Sequence, residues 1–128
     1  MTFEEQITDK SKIRLQKFLD LSVHEKFYKN QWVEVCEGQE YIKFYLRAST
    51  RRLEKDHIAI KVLDIATIEL SKGLQNKGIG MQLINFLHSS NPYQGTYIEN
   101  VLNSYLENKL IRDGWKSHLY ANCYYKNK

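Results

Sequence analysis

The chain has 128 residues, 42% of them hydrophobic and 27% charged, with a formal charge of +4, nine tyrosines and a single proline. That composition fits one globular domain with a core of its own, spanning 1–128, and excludes a disordered chain. No apolar run approaches membrane-spanning length, the opening MTFEEQITDK has no secretory pattern, and the expected location is cytoplasmic.

Thr2-x-x-Glu5 has the form of a capping box, and Ile7, Ile13, Leu15, Phe18, Leu19 and Leu21 recur at helical spacing. One or two helices are expected there, with a further short one through Val23, Phe27 and Tyr28; the basic residues Lys10, Lys12, Arg14 and Lys17 read as a solvated face. From Gln31 the period changes to two. Trp32–Cys36 and Tyr41–Arg47 read as antiparallel strands around a turn at Glu37-Gly38-Gln39. The polar stretch 49–56 is either a hairpin connection or an extension of the second strand. Ile58–Leu70 is β-rich and long for one strand, so a bend or bulge is expected inside it. A helix follows over Met81–His88 and ends before Pro92. Then come a strand over Thr96–Val101, a helix capped by Asn103 and closed by Gly114, and one or two strands within Trp115–Tyr125.

Between the long strand and the first of these later helices lies a polar loop holding Gly73, Gly78 and Gly80. A strand, a glycine turn and a helix make an anion cradle: the first helical turn leaves backbone N–H groups unmatched, the helix dipole favours negative charge there, and glycine permits close approach. Two nucleotide fingerprints do not fit. A P-loop needs Gly-Lys-Ser/Thr where Met81-Gln82 stands, and a dinucleotide turn needs a third glycine where Leu83 stands. Two distant cysteines, Cys36 and Cys123, form no disulfide framework, Cys123 has no activating partner in sequence, and the scattered histidines 24, 57, 88 and 118 predict no metal site.

The run Gln75-Asn76-Lys77-Gly78-Ile79-Gly80 resembles the (Arg/Gln)-x-x-Gly-x-Gly/Ala signature of the GNAT superfamily of N-acetyltransferases. Two further features resemble that family: the strand ending at Leu70 just before the loop, and Asn103 placed eleven residues before Gly114-Trp115. The resemblance implies a mixed α/β domain with a central, mostly antiparallel twisted sheet flanked by helices. It implies acetyl-coenzyme A as cofactor, its pyrophosphate on the Gln75–Gly80 loop (with Gln75, Asn76, Lys77, Gly78, Ile79 and Gly80 contributing), its pantetheine arm along Ile68 and Leu70, and Asn103 near the thiol end. It also implies that the strands ending at Leu70 and Val101 are parallel neighbours that splay at the thioester. On that frame the expected reaction is direct acetyl transfer to a primary amine in a ternary complex. The Leu70 N–H would polarise the carbonyl and Glu69 or Glu99 would take the amine proton. The tyrosine that many family members carry four residues before the closing glycine is Leu110 here; Tyr105, the nearest tyrosine, lies about 140° around the helix from it.

The acceptor is expected at the early helices and the 49–56 connection, with His118 and Tyr120 on the late strand either beside it or packed on the sheet. Two other readings stay open. Arg47, Arg51, Arg52 and Lys55 beside aromatic strands form a basic, ring-bearing patch of the kind that holds single-stranded nucleic acid. The leucine at position 110 also allows a domain that binds coenzyme A without transferring the acyl group. A C-terminal edge strand leaves both monomer and homodimer open.

Overall fold

The computed structural model describes the chain except residues 25–29, 55–56 and 119–121, and gives only the backbone of 22–24. Helix α1 (Phe3–His24) is followed by strands β1 (Gln31–Glu37), β2 (Glu40–Arg51) and β3 (Ile60–Leu70). A 3-10 turn (Lys72–Leu74) leads to α2 (Ile79–Ser90); β4 (Gly95–Ile98), α3 (Ser104–Arg112), β5 (Lys116–Ser117) and β6 (Tyr124–Asn127) complete it. The first twenty residues form one helix, not two. Its interior hydroxyls are absorbed by back-bonding, Thr8 Oγ1 to Glu4 O at 2.6 Å and Ser11 Oγ to Ile7 O at 2.8 Å. The capping box forms at its start, where the Glu5 N–H donates to Thr2 Oγ1 at 3.1 Å. The short helix expected through Phe27 and Tyr28 lies outside the described residues.

The strands make one sheet in the order β1-β2-β3-β4-β6-β5, antiparallel except for β3 and β4. The polar stretch after Leu46 extends β2 as far as Arg51. The expected bulge is in β3: Tyr45 pairs with Thr67 and Leu46 with Ile65, so Ala66 is the unmatched residue. The late region forms two strands, and β6 inserts between β4 and β5.

The three helices among the described residues cover one face of the sheet. Val35, Ile42, Phe44, Leu46, Leu63 and Ile65 point into that core with Leu15, Phe18, Leu83, Ile84, Leu87 and Leu110 from the helices. The α1 surface is less free than its basic pattern implies. Lys10 pairs with Glu37, and Arg14 Nη1 donates to Glu34 O at 2.7 Å, so both reach across to β1. Among the described residues the other face carries no helix; its small apolar cluster is Leu53, Val62, Tyr97 and Tyr125. No helix among the described residues is long and apolar enough to cross a membrane.

Candidate active site

The parallel strands pair only over Val62–Ile65 with Gly95–Ile98. The last link is the Glu99 N–H to Ile65 O at 3.0 Å; Asn100 then takes φ 57°, and the Val101 N–H goes to Asn122 O at 2.8 Å. Thus β4 stops at Ile98, three residues short of its expected end, because the chain diverges there. From Ala66 to Leu70 one edge of β3 has no strand beside it among the described residues. The Ser71 N–H bonds to Tyr41 O at 3.0 Å, so by strand alternation residues 69 and 71 face β2 while Ile68 and Leu70 turn their backbone polar groups to the free edge. There the Leu70 carbonyl accepts from Gln75 Nε2 at 2.9 Å.

That edge forms one wall of a cleft. The other walls are Gln75, Asn76, Gly78, Gly80 and Met81 of the loop and α2, and Asn103, Tyr105 and Leu106 at the start of α3. The loop is shaped by two left-handed residues, Asn76 at φ 59° and Gly78 at φ 80°. Gly78 is the N-cap of α2 and has no side chain to cap it, and no acidic residue lies in the first turn. The early amides of α2 therefore remain available at the positive end of the helix. Ile79 itself is buried in the core, so only its backbone can serve the cleft. Lys77 pairs with Glu4 of α1 at 3.1 Å. The root of the loop is pinned by Ser71, whose Oγ accepts the Tyr41 N–H at 3.0 Å and donates to the Glu40 carboxylate.

On the α3 wall, the Asn103 side chain accepts from the Tyr105 N–H at 2.8 Å and the Leu106 N–H at 3.3 Å. The asparagine thus lines the cleft while spending its carbonyl on the helix cap. Leu110 is fully buried in the core. Tyr105, on a different side of α3, is the tyrosine that fronts the cleft.

The two candidate carboxylates have different surroundings. Glu69 is exposed on the open sheet face and accepts from the Tyr41 hydroxyl at 3.2 Å, and this bond raises the Tyr41 phenol above its ordinary range. Glu99 stands where the strands part, and both its oxygens are taken: Arg47 Nη2 reaches one at 2.8 Å and Arg51 Nη2 the other at 2.7 Å. The same arginines bind fully buried Asp64, at 2.9 Å and 2.8 Å. Hydrogen bonding to Asp64 strengthens the hold of Arg47 on its proton.

The sequence does not anticipate this four-charge cluster, which holds Arg47 and Arg51 of the basic patch behind the alternative nucleic-acid reading. The available signal was a lone aspartate inside the apolar run of β3, with arginines at even spacing on the strand before it. Lys55 of that patch lies outside the described residues. His118 bonds the Tyr97 hydroxyl at 2.9 Å and Arg52 O at 3.2 Å, on the open face; Tyr120 lies outside the described residues. His88, near the end of α2, is half-buried against Thr96 Oγ1 at 2.8 Å, and burial, with Lys126 and Lys128 nearby, pulls its pKa down to about 4. No group of three or more acidic, histidine or cysteine residues suited to a metal occurs among the described residues.

No family model matches the chain, and no curated protein matches it in sequence. Solved structures do. The chain is similar to one in the crystal structure of the KacTA–DNA complex, with a TM-score of 0.51 and 13% identity over 88% of this chain and 76% of that one. It is also similar to AtaT complexed with acetyl-methionyl-tRNAfMet, with a TM-score of 0.52 and 12% identity over 90% and 79%. At such identities the likeness speaks for the fold. Among the described residues, the six-stranded, mostly antiparallel sheet with three helices is a GNAT-like fold.

Proposed function

We infer that the protein is an N-acetyltransferase that moves an acetyl group from acetyl-coenzyme A to a primary amine within a ternary complex. The observation that carries this reading is the cleft itself. An uncapped helix start for a pyrophosphate and a free strand edge for an amide-bearing arm lie end to end. The residues present fit the cofactor. Gly78, Gly80 and the early amides of α2 would hold its phosphates, with Gln75 and Asn76 shaping the loop. Lys77 would add charge on leaving Glu4. Ile68 and Leu70 would pair with the arm, and Asn103 and Tyr105 would border it.

Acetyl-coenzyme A supplies the activated thioester, whose C–S bond breaks as the amine's C–N bond forms. The phosphate loop adjoins Leu70, so a bound cofactor would direct its acyl end toward Ala66, where β3 parts from β4. The free N–H of Ile68 is nearer that point than the N–H of Leu70 and is the better placed donor to a developing oxyanion. Glu69 is solvent-exposed and lightly engaged, and it takes the amine proton directly or through water. Glu99, held by two arginines, fixes the point of divergence. Tyr105 fronts the cleft as the proton donor for the departing thiolate.

Titration calorimetry with acetyl-coenzyme A should show binding in the micromolar to millimolar range, and thiol release should then appear with an amine acceptor. Absence of binding removes the whole reading. Binding without thiol release across a panel of amines would leave a coenzyme A-binding protein that does not transfer. Glu69→Gln should lower the rate of thiol release, and an unchanged rate would sink its assignment as the base.

A further inference from the structure

A second cavity adjoins the cleft. It has a volume of about 260 Å³ and shares Ile68, Asn103 and Leu106 with the cleft. Ile98 and Val101 also line it, so it lies where β3 and β4 stop pairing. The strand register sets which side of the fork it occupies. Ile68 stands opposite Phe44 and Ile98 opposite Ile65, and both of those partners belong to the helix-covered core. Val101 is part of that core and Leu106 packs against it. The apolar wall of the cavity is therefore on the covered side. Glu69, and the arginines that hold Glu99, are on the open side.

Size and charge decide what this space suits. An acetyl group ends in one methyl, about the size of a water molecule, whose share of the liquid is roughly 30 Å³. That methyl leaves most of the cavity unfilled, and a void forfeits contacts that a longer chain regains. Each added methylene gains apolar surface to bury. Among the described residues no lysine or arginine lines the cavity, whereas Glu99 does. Its other polar side chains, Asn100 and Asn103, are neutral. A carboxylate at the end of the acyl chain would find no cationic partner there, so a charged chain is disfavoured.

We propose that the acyl group this site is built to hold for transfer is a neutral aliphatic chain longer than acetyl, its tail lying against Ile98, Val101 and Leu106. This rests on the acyl-transfer reading of the cleft and changes only the donor. The C–N bond to the amine still forms as the C–S bond breaks; the amine proton goes to Glu69 and the thiolate takes one from Tyr105. The amine approaches from the open side and the tail occupies the covered side, so the two do not compete for space.

The test is calorimetry on the full chain with free coenzyme A and its acetyl, butyryl and succinyl thioesters. Free coenzyme A, which has no acyl chain, is the reference in every variant. Butyryl-coenzyme A should bind about tenfold more tightly than acetyl-coenzyme A. The succinyl thioester, equal in chain length but charged at its end, should bind no more tightly than the acetyl one. Val101→Ile, which adds one methylene to the wall, should lower the butyryl-to-acetyl affinity ratio about fourfold. Leu106→Phe, at a half-buried position lining both cavities, should bring the ratio close to unity. The proposal is overturned if the butyryl and acetyl thioesters bind equally, if the succinyl thioester binds most tightly, or if neither substitution lowers the ratio. Free coenzyme A that binds while the two thioesters do not differ removes the acyl assignment alone. If free coenzyme A itself does not bind, the cleft reading falls and the acyl assignment falls with it.

Discussion

The two faces of the sheet use the same strands for opposite purposes. On the helix-covered face, Leu63 and Ile65 of β3 lie in an apolar core with residues of α1 and α2, and buried Thr96 pairs with neutral partners. Thr96 Oγ1 is held by His88 at 2.8 Å and by Asn91 Nδ2 at 3.0 Å. On the open face, the residue next to Leu63 is Asp64, and around it four charges pair across β2, β3 and the end of β4. The covered face supplies stability through area and packing. A charged cluster is a weak source of net stability, because desolvation offsets most of the attraction. Its location is different: it ties Glu99, where β3 and β4 part, to Asp64 of β3 through two arginines of β2. The contrast teaches that fold and chemistry are separated here by strand alternation alone.

The separation can be broken from either side. The largest loss is expected for Phe44→Ala on the covered face. Phe44 is 1% exposed, and the change should cost about 3–5 kcal/mol in urea unfolding. Next is Asp64→Ala, at about 3 kcal/mol, because it strips two arginines of their buried partner. Those arginines stay 33% and 23% exposed as side chains, which keeps the cost at the lower end of the range for broken buried pairs. Unlike Phe44→Ala, Asp64→Ala should also loosen Glu99, read as faster exchange of the Glu99 amide bonded to Ile65 O. A Glu99 amide as protected as in the parent would show that the cluster does not hold the divergence.

A smaller effect comes from acid on the covered face. His88 is pulled down to about 4 from an ordinary 6.5, first by burial and then by Lys126 and Lys128. The unfolded chain therefore binds this proton more readily than the folded one. Stability should rise with pH between about 4 and 6.5 and fall as pH drops through that window. His88→Gln, which can still bond Thr96, should flatten this part of a melting-temperature profile. The open-face cluster should contribute nothing to that histidine step, so an equally steep profile in the variant would assign the effect elsewhere.

Local signals made much of this legible. The glycine loop announced itself because positive φ at Gly78 and a helix start without a capping side chain are written in a few adjacent residues. The bulge in β3 showed as a β-rich run too long for a regular strand, and the Asn103 cap as an asparagine before an apolar stripe. What escaped depends on distant pairing. Arg47 meets Asp64 only because β2 and β3 align in a register that Ala66 shifts by one. Lys77 meets Glu4 across 73 positions of sequence. The end of β4 was misplaced because Glu99, Asn100 and Val101 continue its β-like pattern; the parting comes from Asn100 and from the bond of Val101 to Asn122. The sequence shows Arg47 and Arg51, which prompt the alternative nucleic-acid reading, and hides their partners Asp64 and Glu99.

The smallest expected effect lies where the covered face meets the cleft. Asn103 caps α3 with two accepted N–H bonds, and α3 is only nine residues long. Asn103→Ala should cost about 1 kcal/mol. The loss should appear first as fraying of the initial turn of α3, seen in the exchange of the Tyr105 and Leu106 amides, since Leu110 remains anchored in the core near its other end. Asn103→Asp keeps an acceptor on the cap and favours the helix dipole, so it should restore stability. It also places a negative charge on the cleft wall, so coenzyme A affinity should fall below that of the parent even as the helix is repaired. If affinity instead followed stability, recovering in Asn103→Asp, this residue would serve the cleft only by holding α3 in place. If affinity fell while stability recovered, its side chain would border the bound cofactor, and the covered face would contribute to the site through charge as well as through packing.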